Sequence, residues 1–238
     1  MLESLFELSN FLVGPFAVWA LRVFLFTAFF YASCVYAHRS FWRKYNHKTA
    51  NYLFEKGSYW VVAGIVILFK FLYAAFLSVA QYYIWSQSKF TEVLVSSPLS
   101  EKVPETFITK LLSPLFKSSI GYVAYYSYGR FFLNVIVVLI VSFSFWAFLR
   151  ILKRHKERFF EEGEVEFGLV CALIAGWPGF IVFIPLTFIS VVIVSIFRGI
   201  VWKEVYTTLG YPLMLATLIT LIFGNYLIEI LNLGVFRI

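Results

Sequence analysis

The stretch RHKERFFEEGEVEFGLVCALIAGWPG, residues 154–179, decides how this chain is read. A basic cluster opens it. Five glutamates follow (Glu157, Glu161, Glu162, Glu164 and Glu166), and then an apolar run broken by Gly176, Pro178 and Gly179. Read as one helix, the region 158–198 would be an overlong span. Gly-Trp-Pro-Gly argues against that, because proline lacks the amide donor a helix interior needs and glycine leaves the backbone unrestrained. The pattern predicts two spans, about 158–176 and 180–198, joined by a tight turn. Glutamates at the start of the first span suit a helix N-terminus, where free amides and the helix dipole favour negative charge.

Working outward, the whole chain reads as a membrane protein. Of its 238 residues 61% are hydrophobic, 21% aromatic and only 14% charged, whereas a soluble domain carries about 25% charged residues. A water-soluble core of this size has no room to hide that much apolar surface, so lipid is the expected solvent. Further spans are expected at about 11–37, 59–85, 121–149 and 208–232. Each has the ~20 apolar residues needed to cross ~30 Å of hydrocarbon. The first run is too long for a signal-peptide core and lacks a small-residue cleavage site, so it is expected to be retained. The expected fold is all-α: residues 1–238 form one polytopic helical membrane domain of six spans.

The net charge of +7 does not point to nucleic acid. The bases cluster in two short loops: Arg39, Arg43, Lys44, Lys48 and Lys56 in 38–58, and Arg150, Lys153, Arg154, Lys156 and Arg158 in 150–158. The positive-inside rule makes both loops cytoplasmic in a multi-pass protein of the cell membrane. The N-terminus, with Glu3 and Glu7, is then outside, and the 199–207 loop carrying Lys203 is cytoplasmic. In the external 86–120 loop, Phe107, Ile108, Leu111, Leu112, Leu115 and Phe116 recur at helical spacing opposite Glu105, Thr109, Lys110, Ser113 and Lys117. That predicts an amphipathic helix over about 104–117, lying in the outer interface or capping the bundle. Tyr122, Tyr125, Tyr126 and Tyr128, with Tyr82, Tyr83 and Trp85, are expected to form an outer aromatic belt.

Charges inside spans are costly and mark candidate sites. Lys70 lies ~16 Å from either end of its span at ~1.5 Å rise per residue, too deep to snorkel easily. It is expected either to pair structurally, with backbone carbonyls or with Asn134, or to line the path of a small transporter or channel. Cys34 and Cys171 sit in apolar runs and the three histidines are scattered, so neither a metal nor a cofactor is expected. GxSxG, HExxH and P-loop motifs do not occur. All thirteen acidic residues are glutamate, and there is no aspartate.

The layout GEVEFGLVCALIAGWPGFIVFIPLTFISVVIVSIFR (163–198), followed by LGYPLMLATLITLIFG (209–224), resembles the type IV prepilin peptidases. These are membrane aspartyl proteases with a six-helix core. Their second catalytic Asp lies in a Gly-x-Gly-Asp motif at the cytoplasmic start of a span, and their final span opens with a Gly-Pro-containing motif. The likeness covers about 75 residues, 158–232, with Gly210 and Pro212 matching the final motif. It implies that Glu164 stands at the position of the catalytic Asp, after Gly163, with Glu161 replacing the earlier Gly. The family's other Asp belongs in 38–58, which offers Asn46, Asn51 and Glu55. The dyad chemistry needs two carboxylates sharing a proton, and a misplacement of ~1 Å can cost ~100-fold in rate. The resemblance therefore implies a peptidase-like protein that has lost its catalytic pair. Its remaining role would be binding or assembly, with prepilin-like apolar helices or pilus and secretion proteins as partners beside the lipid bilayer. The alternative is an active acid peptidase using Glu164 and Glu55. Candidate binding residues are Lys70, Asn46, Asn51, and the pair Glu162 and Glu166, whose spacing of four puts them on one helical face. Gly176, Gly179, Gly199 and Gly210 suit close approach of a partner helix.

Overall fold

The computed structural model describes residues 12–45, 52–87, 89–99, 110, 112–155, 160–201 and 208–236. Every regular element among them is helical: α1 (Ala17–Tyr45), α2 (Tyr52–Ser86), α3 (Lys89–Val95), α4 (Ser113–Phe116), α5 (Gly121–Ser127), α6 (Leu133–His155), α7 (Glu164–Ala175), α8 (Gly179–Val201) and α9 (Gly210–Ile230). π-helical turns at Leu12–Phe16 and Tyr128–Phe132 lead into α1 and α6, and a 3-10 turn, Leu233–Phe236, follows α9. The all-α polytopic fold expected from composition is the fold observed. Among the described residues five helical stretches are long and apolar enough to cross a membrane: Gly14–His38, Gly57–Ser86, Gly121–His155, Gly179–Val201 and Gly210–Ile230.

The remaining expected span, 158–176, takes a different form. Its helix, α7, has 12 residues, or ~18 Å at ~1.5 Å per residue, short of the ~30 Å hydrocarbon core. Ten of those residues are buried. A helix apolar on all sides belongs inside a bundle rather than at its rim. Gly168 lies against Leu149 and Phe145 of α6 and Leu213 of α9, while Phe167 meets the rings of Tyr36 of α1 and Tyr59 of α2 at 5.1 and 5.8 Å between centroids. The break expected at AGWPG is present. α7 ends at Ala175, Gly176 has φ 62°, the Trp177–Pro178 peptide is cis, and α8 starts at Gly179. The Trp177 indole N–H donates to the Phe236 carbonyl at 2.7 Å.

The described residues fall into two compact units, the first within Met1–Leu21 and Phe69–Ile136, the second within Arg22–Leu68 and Val137–Arg237. The second holds α7–α9 with parts of α1, α2 and α6. The first holds α3–α5 with the start of α1, the rest of α2 and the start of α6. In the first unit Trp85 packs on Tyr122 and Tyr126, with centroids 6.2 and 4.8 Å away, so three of the seven expected belt residues meet. The amphipathic helix expected at 104–117 falls largely outside the described residues. Its last part is α4, one turn with Phe116 buried.

Leu213 is fully buried against α7, whereas Ile200 of α8 is 75% exposed. Leu213→Ala is expected to cost about 2–5 kcal/mol through the cavity it leaves, and Ile200→Ala about 0.5 kcal/mol or less. Thermal unfolding in detergent, followed by circular dichroism, measures both.

Candidate functional site

Among the described residues Glu164 is the one acidic residue with a buried side chain, at 0% exposure. Gly163, at φ 83°, turns the chain into α7 with a left-handed backbone that a side chain would strain. That turn aims the carboxylate at the start of α9. Oε1 accepts from the Tyr36 hydroxyl at 2.8 Å and the Gly210 N–H at 2.7 Å. Oε2 accepts from the Glu161 N–H at 2.9 Å and the Leu209 N–H at 3.2 Å. Helix starts leave their first amides without intrahelical partners. The N-cap residue of α9 is Leu209, which offers no side-chain cap. Glu164, 46 residues upstream of Gly210, fills that role for α9 and adds a negative charge at the positive end of the helix dipole.

The rest of the pocket is shaped around this contact. Tyr36 is 1% exposed, lies face to face with Phe167 and edge-on to Tyr211 at 5.3 Å. A Cβ on Gly210 would lie 2.1 Å from Cζ and 2.2 Å from the hydroxyl oxygen of Tyr36, so glycine there is what lets tyrosine and helix start share the carboxylate. The Arg198 guanidinium sits 5.5 Å over the Tyr211 ring. Glu164 lies outside the five spans. Burial pushes its carboxyl above the ordinary carboxylate range, and the bonds from Glu161, Tyr36 and Gly210 pull against that.

The sequence-derived candidates separate. Glu55 belongs to α2, but its side chain lies outside the described residues, as do Asn46 and Asn51. Glu162 is exposed in the turn before α7, while Glu166 is half-buried in its first turn. The helical spacing expected to pair these two does not apply, because the helix begins between them. Lys70 is half-buried in the first unit, and its expected partner Asn134 keeps its Oδ1 buried without a hydrogen bond among the described residues. Gly176, Gly179 and Gly210 are buried in the protein's own packing, and only Gly199 stands open. Tyr36 was missed by sequence reasoning. It looked like one more apolar-run aromatic, and its partner is 128 positions away. Among the described residues no group of three or more histidines, cysteines or acids could hold a metal, and both cysteines are free thiols. Comparison with family models, with curated proteins and with solved structures matches the chain to none of them.

Two tests follow from the donors around Glu164. An amide at this position cannot satisfy them. Turned one way, its NH2 faces Gly210 N–H, and turned the other way, it faces Glu161 and Leu209 N–H. Glu164→Gln is therefore expected to cost about 1–3 kcal/mol, and Tyr36→Phe about 0.5–1.5 kcal/mol, measured by thermal unfolding. The second test is pH. The folded carboxyl holds its proton more tightly than an unfolded one. Its contribution is thus complete below the ordinary glutamate value and is lost as pH rises through the raised value. Stability is expected to fall as pH climbs out of the acidic range, and Glu164→Gln to flatten that slope.

Proposed function

We propose that this chain is a non-catalytic, prepilin-peptidase-like protein of the cell membrane that binds apolar helices of prepilin-like or pilus and secretion assembly partners. The observation that supports the loss of catalysis is the state of Glu164. A general base must reach a water, and an acid must reach a leaving group. Glu164 instead has both oxygens engaged by four donors at 0% exposure. Its job is to start α9.

The same contact supports the sidedness of the proposal. Because the first residue of α7 bonds the first residue of α9, both helices begin at one level of the second unit. The short α7 and the longer α8 therefore form a hairpin that returns to the side it left. The side on which α7 and α9 begin we assign to the cytoplasm, by the charge of the basic segment that precedes α7 in the sequence. For the partner helix we assign the apolar cleft of about 670 Å³ between α1 and α2, lined by Phe24, Ala28, Tyr31, Gly57, Val61 and Ile65. It suits an apolar helix because glycine at its wall permits close approach.

The purified protein is expected to crosslink a prepilin-like peptide without cleaving it, and Val61→Trp, at a position already 61% exposed, to reduce that crosslink about tenfold, a loss of about 1.4 kcal/mol in binding. Cleavage by the native protein that disappears in Glu164→Gln overturns the non-catalytic reading. Crosslinking that is absent in the native protein, or unchanged in Val61→Trp, overturns the binding site.

A further inference from the structure

The first unit contains a second apolar cleft that the proposed function does not use. It measures about 640 Å³, within the ~300–1,000 Å³ of pockets that hold small ligands. Val79 and Tyr82 of α2 form one wall, Leu115 and Phe116 of α4 its end, and Ala124 and Ser127 of α5 the other wall, continued by the π-helical turn at Tyr128 and Phe132. Its lining is apolar apart from a few hydroxyls.

One of those hydroxyls is out of place. Ser127 is 5% exposed, and its Oγ has no hydrogen-bond partner among the described residues. Buried threonines elsewhere in these helices turn back onto the preceding carbonyl, Thr187 onto Phe183, Thr217 onto Leu213 and Thr220 onto Ala216, whereas Ser33 Oγ, which lines neither cleft, shares the lack of a partner. Ser78, on the opposite wall, turns back onto Ala74. Ser127 lines the cleft instead, at the residue before the helix widens into its π turn. Such widenings recur at functional sites. A buried hydroxyl left unpaired costs free energy, so this one calls for an acceptor within the cleft.

Depth identifies the acceptor. Trp85, Tyr122 and Tyr126 stack together here, and clusters of tryptophan and tyrosine settle at the headgroup level of a bilayer. Ser127 directly follows Tyr126, ~1.5 Å further along the helix axis. At that depth a bilayer glycerolipid carries its ester carbonyls, with acyl chains running into the hydrocarbon. The cleft is open, with Val79 at its rim 68% exposed. We propose that it holds an acyl chain of a bilayer phospholipid, with the Ser127 hydroxyl donating to the ester carbonyl of that chain.

Native mass spectrometry of the full chain in mild detergent, with added phosphatidylcholine, tests this. The native protein is expected to retain one phospholipid after the micelle is stripped. Val79→Trp and Ala124→Phe fill the cleft from opposite walls and are expected to abolish retention. Val79 faces outward, so its replacement should leave the unfolding temperature unchanged and separate loss of lipid from loss of fold. Ser127→Ala should weaken retention about tenfold, one charge-free hydrogen bond's share. No retained lipid in the native protein, or retention unchanged in all three variants, overturns the proposal. A dimer in place of the lipid adduct, lost in Val79→Trp, gives the cleft to a second copy and also overturns it.

Discussion

A buried carboxylate tolerates few surroundings. Removed from water, it needs donors on both oxygens or it destabilises the fold. Glu164 obtains them from the turn it follows and from two places distant in sequence, Tyr36 of α1 and the two leading amides of α9. Much of the second unit can be understood as the means of bringing those groups together. Gly163 turns the chain to present the side chain, Gly210 makes room for Tyr36, and Phe167 one turn later holds the tyrosine ring flat.

That contact also resolves a difficulty in α7. A 12-residue apolar helix is too short to span and too apolar to sit in water. Enclosing it on all sides avoids both problems. The parts of α1, α2, α6, α8 and α9 in the second unit supply the enclosure, with rings and leucines against Phe167 and Gly168. The contact of Glu164 with Leu209 and Gly210 holds the starts of α7 and α9 at one level of the second unit. The carboxyl at the start of α7 serves here to begin α9.

The first unit follows a different rule. Its aromatic rings stack at Trp85, Tyr122 and Tyr126, and its buried polar atoms at Ser127 and Asn134 are left without partners among the described residues, as are Ser33 Oγ and Trp146 Nε1 in the second unit. What sets the first unit apart is that its unsatisfied Ser127 hydroxyl lines an open apolar cleft.

Composition and run length alone determined that the chain is helical and lives in lipid, because a long apolar run must satisfy its own backbone and only a helix does so within one segment. The break at Gly176–Gly179 was equally legible, since it depends on the local chemistry of proline and glycine. So was the meeting of Trp85 with the tyrosines, which follows from a shared preference for the interface. The length of α7, the role of Glu164 and the part played by Tyr36 were not. Apolar residues look alike whether they face lipid or protein, so a buried core helix reads as a span. A carboxylate that caps its own helix reads the same as one that caps another helix 46 residues on. Only the tertiary structure decides which amides a side chain reaches, because that depends on contacts between residues that the linear order keeps far apart.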